Sequence, residues 1–242
     1  MKSISDIKHA FYINLDTRPD RKTHVEKQLE TIGIKGERFN AIKLKNGALG
    51  CSMSHLKCLE RAKQNNWDHV VIVEDDILFT KPNLFKKQLS FFLKNHDNFD
   101  VILLAGNNAS RNYIKVDHSC VKVHNCQTTT EYLVKSHYYD TLIQNYKDGI
   151  QKLLKEPENH KLYAIDKYWF QLQEKDNWYL IMPLSVVQRE DYSDIEKRTT
   201  NYKDIMLDLD KPWLMQNAYL QQLLSMPNEI KKPSQKISMS LF

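Results

Sequence analysis

The run His69-Val70-Val71-Ile72-Val73 is apolar at every position after the histidine, and it ends in three adjacent carboxylates, Glu74-Asp75-Asp76. A strand without alternation needs cover on both faces, as in the middle of a parallel sheet flanked by helices. Carboxylates at the end of such a strand are costly to place there unless a metal or a ligand uses them.

The flanking sequence supplies the helices. Phe11–Leu15 reads as a first strand, and Thr17-Arg18-Pro19-Asp20 is a helix-start signature. Val25, Leu29 and Ile32 follow at helical spacing, and Gly33 marks the stop. Glu37–Ile42 fits a second strand. Gly47–Gly50 reads as a loop, with Ser52 capping a helix that carries Met53, Leu56 and Leu59. After the acidic strand, Pro82 opens a helix with Phe85, Leu89 and Phe92, and Val101–Ala105 is a further strand ending at Gly106. The order β-α-β-α-β-α-β predicts an α/β domain with a largely parallel sheet. Ligands of such folds sit at the carboxyl ends of strands, where Glu74-Asp75-Asp76 and Gly106-Asn107-Asn108 both fall.

The second half is more mixed. Tyr113–Cys126 suggests strands or a hairpin. Tyr139, Leu142, Ile143, Tyr146, Ile150 and Leu153 make an amphipathic helix. A short helix starts near Asp166, and Trp178–Ile181 is strand-like up to Pro183. Residues 225–242 are polar and read as a surface tail.

Composition narrows the function classes. With 41% hydrophobic and 27% charged residues over 242 positions, the chain is an ordinary globular protein. No apolar stretch reaches the roughly 20 residues of a membrane span. Met1–Ala10 lacks the apolar core of a secretory signal, so a cytoplasmic location is the expectation. The net charge of +5 is scattered, and Lys231-Lys232 is too short a basic run to imply nucleic acid. Cys51 and Cys58 would lie about 10.5 Å apart along a helix, beyond disulfide reach. With Cys120 and Cys126 they read as reduced thiols. His118, Cys120, His124 and Cys126 form a repeated His-x-Cys pattern that could bind zinc, although the spacing is not a recognised zinc signature.

Residues two apart on a strand point the same way, so Glu74 and Asp76 can share one ligand, unless the chain has already turned. Paired carboxylates suit magnesium or manganese, and such an ion neutralises a departing diphosphate. The plain alternative is a solvated acidic turn.

Several blocks resemble glycosyltransferase family 25. Ile13-Asn14-Leu15-Asp16 with Arg18, Asp20 and Arg21 is similar to the family's opening NLxxRxDR segment. Gly50-Cys51-Ser52-Met53-Ser54-His55 is similar to its GCxxSH block, and Val73-Glu74-Asp75-Asp76 to its acidic block. Tyr132-Leu133-Val134 after three threonines, Asp166, and Pro183 with Val187-Gln188 and Ser193-Asp194-Ile195 resemble later segments. The blocks are in order over roughly residues 11–196.

The resemblance implies a GT-A-type nucleotide-sugar transferase fold with a Rossmann-like, mostly parallel sheet. That single domain would span residues 1–224, with a donor-binding half to about 110 and an acceptor half beyond it. It implies a UDP-sugar donor, usually UDP-galactose, manganese (or magnesium), and inversion to a β-linkage. The implied acceptor is a glycan, a lipid-linked glycan or a collagen-like protein. A lipid-borne acceptor would bring peripheral membrane contact.

Asp76 is then the leading metal ligand, with Glu74 or Asp75 assisting or orienting the ribose. The family fold's Asp-x-Asp stands here as Glu-x-Asp. Asn14, Arg18 and Arg21 fall where the nucleotide would lie, and an arginine there can hold phosphate in a forked contact; a solvated helix position is the alternative for Arg21. Gly50 would let the backbone approach the donor. Ser54 and His55 would sit in the first turn of a helix facing phosphate, with capping or core packing the alternative for His55. Asp166 is the candidate base, or a helix cap, and Asp191 and Asp194 are weaker alternatives. Gln188 would bond sugar or base. Tyr168 and Trp169 would stack on an acceptor sugar or pack in the core.

The function expected is metal-dependent hexosyl transfer. The alternatives are a catalytically silent nucleotide-sugar binding protein and a metal-dependent phosphoryl-transfer enzyme.

Overall fold

The computed structural model describes residues 1–108, 112–193 and 195–211. Residues 1–209 form one compact unit. Of residues 210–242 only the first two are described, so Lys231-Lys232 and the tail expected at 225–242 lie outside the described residues, as does Asp194.

In chain order the elements are β1 (Ala10–Asn14), α1 (Pro19–Ile32), β2 (Glu37–Asn40), α2 (Gly47–Gln64), β3 (His69–Glu74), β4 (Ile77–Phe79) and α3 (Pro82–Asn95). There follow β5 (Val101–Leu103), β6 (Asn107–Asn108), β7 (Tyr113–Lys115), β8 (Cys120–Val123), β9 (Cys126–Gln127) and β10 (Glu131–Lys135). The remainder are α4 (Tyr139–Lys155), α5 (His160–Tyr163), α6 (Ile165–Tyr168), α7 (Phe170–Gln173), β11 (Trp178–Ile181), β12 (Val186–Gln188), β13 (Asp191–Ser193), β14 (Arg198–Thr200) and α8 (Lys203–Leu207).

Eight strands make the central sheet in the order β2-β1-β3-β10-β5-β11-β8-β7. The ladders β1–β2, β1–β3 and β5–β11 are parallel; those joining β10 to β3 and β5, and β8 to β11 and β7, are antiparallel. Six strands run one way, as the α/β reading expects, but β10 and β8 enter against them and make the sheet mixed. β10 lies beside the acidic strand, pairing Glu131 with Val73 and Tyr132 with Ile72.

Side-chain alternation divides the core. Tyr12, Val71, Val73, Ile102 and Leu133 pack with Val25, Leu29, Phe85 and Phe92 of α1 and α3. Phe11, Ile72, Leu103, Tyr132 and Val134 pack with Leu59 of α2 and Leu142 and Tyr146 of α4. Both faces of β3 are therefore covered, and Val70–Val73 are fully buried.

Helix boundaries follow local chemistry, with one correction. α1 has Pro19 in its first turn and ends at Gly33 in the left-handed region, φ 83°. α2 starts at Gly47 rather than after a loop, because Asn46 caps it by accepting from the Leu49 N–H. Ser52 is therefore inside the helix and donates to the Ala48 carbonyl. Ser54 and His55 lie in the third turn, away from the N-terminus expected to face phosphate.

Candidate functional site

β3 ends at Glu74, and Asp75-Asp76 turn the chain into β4. Strand alternation therefore stops at Glu74. Arg21 Nη1 bonds Asp75 Oδ1 at 2.9 Å and Asp76 Oδ2 at 3.1 Å, so one guanidinium clamps both aspartates. Its Nε reaches Asp191 Oδ2 at 3.1 Å and its Nη2 the Tyr192 carbonyl at 3.1 Å. Asn14, buried at the end of β1, donates to Asp75 Oδ2 at 2.7 Å and accepts from Arg38 Nε at 3.0 Å. Burial raises the Asp75 carboxyl above its ordinary range against the pull of Arg21.

Asp76 is the exceptional member. Its Oδ1 is buried without a hydrogen-bond partner among the described residues. Burial, then the charge on Glu74, push the carboxyl up to about 7.

Glu74 faces the other way, toward α2. Its Oε1 accepts from Thr129 Oγ1 at 2.7 Å and lies 3.7 Å from Cys51 Sγ and 3.4 Å from His55 Nε2. Its Oε2 accepts from Gln188 Nε2 at 3.2 Å. Burial would raise this carboxyl, but His55, Thr129 and Cys51 outweigh it and hold it below the usual range. Behind it, His55 Nδ1 lies 2.9 Å from the Tyr132 hydroxyl, which accepts from Tyr146 at 3.1 Å. His55, Tyr132 and Tyr146 are all buried, so the orientation of Glu74 is fixed from within the core.

The expected residues thus converge on the strand end in different capacities. Asn14, Arg21, Asp75 and Asp76 form one connected group; His55 and Gln188 join Glu74. Arg18 is engaged with Asp20, Asp191 and the Tyr192 carbonyl. The expectation for Gly50 is corrected: a Cβ there would meet the Ile42 carbonyl oxygen at 2.5 Å, so the chain's own backbone occupies the space kept for a donor. Ser54 serves the same contact, accepting from Ile42 N–H and donating to the Gly50 carbonyl.

Asp166, in the first turn of α6, accepts the Thr128 N–H at 3.1 Å; burial, assisted by the charge of Glu74, raises its carboxyl. Asp191 bonds Arg18, Arg21 and Arg189; burial would raise its carboxyl, but the Arg189 contact, the Tyr192 N–H and the charge of Arg21 outweigh it and hold it well below the usual carboxylate range, unsuited to act as a base. Trp169 is fully buried against Tyr132 and Trp178, with its Nε1 on the Cys126 carbonyl, so it packs in the core.

Sequence reasoning gave no role to Thr129, Arg189 or the Tyr132–Tyr146 pair. The threonine run preceding Tyr132 was a usable signal for Thr129. Nothing local ties Arg189 to Arg21, more than 160 positions away.

A hard divalent cation needs oxygen donors. Among the described residues Asp76 Oδ1 is unpartnered, Glu74 Oε2 accepts a single N–H, and the charge on Glu74 raises the affinity of Asp76 for positive charge. That donor set fits manganese or magnesium. On the other side of Glu74, the Cys51, His55 and Glu74 donor atoms lie within 4.8 Å of one another, a softer set. Among the described residues no helix is long and apolar enough to cross a membrane.

Comparison with known proteins agrees with the sequence blocks. A glycosyltransferase 25 family member of Anopheles gambiae is 26% identical over 196 residues, covering 67% of this chain and 31% of the mosquito protein. One of Drosophila pseudoobscura pseudoobscura is 30% identical over 99 residues, covering 29% of this chain and 16% of the fly protein. The chain thus spans under a third of the length of either relative. Among solved structures, a glycosyltransferase involved in glycosylation of the major capsid of PBCV-1 is similar at a TM-score of 0.42 and 10% identity, covering 73% of this chain and 92% of that one. The family model for glycosyltransferase family 25 (LPS biosynthesis protein) matches residues 43–169, more than half of the 242, and takes in Gly50–His55, the acidic strand end, β10 and Asp166: the chain belongs to glycosyltransferase family 25.

Proposed function

We propose that the chain catalyses metal-dependent transfer of a hexose, galactose in the first instance, from a UDP-sugar to a hydroxyl of a glycan or glycoprotein acceptor, with inversion. The observation that carries this reading is the buried Asp76 Oδ1, unpartnered among the described residues and within the field of the Glu74 charge, at the carboxyl end of a strand covered on both faces.

Asp76, with Glu74, would hold manganese or magnesium, which when bound neutralises charge on the departing diphosphate. Arg21 holds Asp75 and Asp76 in place, and Asn14 fixes the second oxygen of Asp75, so both oxygens of that carboxylate are engaged and it positions Arg21 and Asn14 at the strand end. Gln188 fixes Glu74 from β12 while Thr129 fixes it from the segment before β10. Asp166 is the proposed base, taking the acceptor hydroxyl's proton onto a carboxylate oxygen as that hydroxyl attacks. A carboxyl raised by burial is a stronger base than a solvated one, and the Thr128 N–H holds Oδ2 in position.

The test is a panel of UDP-sugars scored for free UDP, with and without manganese. The reading expects metal-dependent release from one donor, stimulated by a glycan acceptor. Folded protein that releases UDP from none of them contradicts it.

A further inference from the structure

A second cluster of metal-ligating side chains lies on the face of the sheet that carries α3. β8 is four strands from β3 in the sheet order, which at the usual strand spacing is about 19 Å from the acidic strand end. His96 follows the last turn of α3, its ring against Phe92 and Tyr179. Its Nε2 lies 2.8 Å from Asp117 Oδ2. Asp117 sits in the β7–β8 turn, where its Oδ1 accepts the Ser119 N–H and Oγ at 2.7 Å, the Cys120 N–H at 3.2 Å, and the Cys120 thiol at 3.8 Å. The His96, Asp117 and Cys120 donor atoms all lie within 4.8 Å of one another.

We propose that His96, Asp117 and Cys120 form a zinc-binding site that fastens the end of α3 to the β7–β8 turn. Zinc takes imidazole nitrogen, carboxylate oxygen and thiolate sulfur at about 2.0–2.3 Å in a tetrahedron, whose edges are then about 3.3–3.6 Å. His96 Nε2 lies 2.8 Å from Asp117 Oδ2 and Cys120 Sγ 3.8 Å from Asp117 Oδ1, so imidazole and thiol approach the carboxylate at opposite oxygens, and a small turn of the carboxylate brings one oxygen between them for the ion. The donors suit zinc better than manganese or magnesium, which favour oxygen. The turn contacts of Asp117 account for the carboxylate but require neither an imidazole nor a thiol beside it. His96 and Asp117 are partly exposed, at 21% and 26%, which leaves an entry path and a fourth position for water. Cys120 is fully buried, and zinc would displace its thiol proton to solvent on binding. The pattern noted in the sequence, His118-x-Cys120 and His124-x-Cys126, does not assemble: Cys126 packs against Gly106 and Trp169 instead.

Cobalt(II) titration of the metal-free full chain tests this, because thiolate ligation gives a near-ultraviolet charge-transfer band. One equivalent is expected to produce the band, and zinc to bleach it. Cys120→Ser is expected to abolish it and His96→Ala to weaken cobalt binding at least ~10-fold, while Cys51→Ser leaves it intact. Absence of the band, or its loss in Cys51→Ser with retention in Cys120→Ser, overturns the assignment. If Cys120→Ser does not fold, His96→Ala and Asp117→Asn decide: wild-type affinity in both also overturns it.

Discussion

Glu131 opens β10 in the middle of the sheet, has no exposed surface, and among the described residues has no hydrogen-bond partner for either carboxylate oxygen. Burial pushes its carboxyl from 4.5 up to about 8. The group is therefore neutral in the folded protein and ionised in the unfolded chain across the range between those values. The sign follows from linkage: the folded state prefers the proton, so the contribution is complete below the unfolded value and is lost as pH rises through the folded one. The slope is about 1.4 kcal/mol per pH unit, and the span of roughly 3.5 units makes the loss on the order of 4–5 kcal/mol. Net stabilities of domains are about 5–15 kcal/mol, so one carboxyl would weaken the fold visibly at alkaline pH.

The assay is urea unfolding of wild type and Glu131→Gln at pH 5, 7 and 9. Glutamine keeps the shape and cannot ionise. The two proteins should be close in stability at pH 5, and the variant should be more stable by several kcal/mol at pH 9. Parallel curves across the whole range, or a variant weaker at pH 9, would refute the reasoning.

Other expectations follow from the same contacts. Arg21→Met leaves buried Asp75 without its counter-charge and should cost about 3–5 kcal/mol in urea unfolding, with Asp75→Asn in the same chain restoring part of it. Gly50→Ala puts a methyl 2.5 Å from the Ile42 carbonyl oxygen; thermal melting should show a loss of about 1–3 kcal/mol. Asp166→Asn should lower the rate of sugar transfer by about 10²–10⁴ while UDP affinity, measured by calorimetry, stays near wild type.

The strands and helices of the first half were legible because their signals are local. Apolar Val70–Val73, Pro19 before a helical stripe, and Gly33 after it all mark elements within a few residues of themselves. α2 was misread at its start because Gly47 and Gly50 look like loop residues, whereas Gly50 is needed for contact with Ile42, a partner from another segment. β10 was not legible as a strand: Tyr132-Leu133-Val134 stands out only as a family-like segment after the threonines, and nothing in it says that it inserts antiparallel between β3 and β5. The acidic strand end could be named from sequence. Its wiring could not: Arg21, Asp75 and Asp191 meet only through the tertiary fold, and the turn after Glu74 sends neighbouring carboxylates to different partners.

The central claim is that Asp76 anchors a metal-dependent sugar-transfer site. The most direct measurement compares UDP release from the responding UDP-sugar by wild type and Asp76→Asn, each with manganese and after chelation. The account predicts turnover by wild type only with metal, and loss of about three orders of magnitude or more in Asp76→Asn with the melting temperature preserved. Turnover by Asp76→Asn within about tenfold of wild type, or wild-type turnover unaffected by chelation, would contradict it.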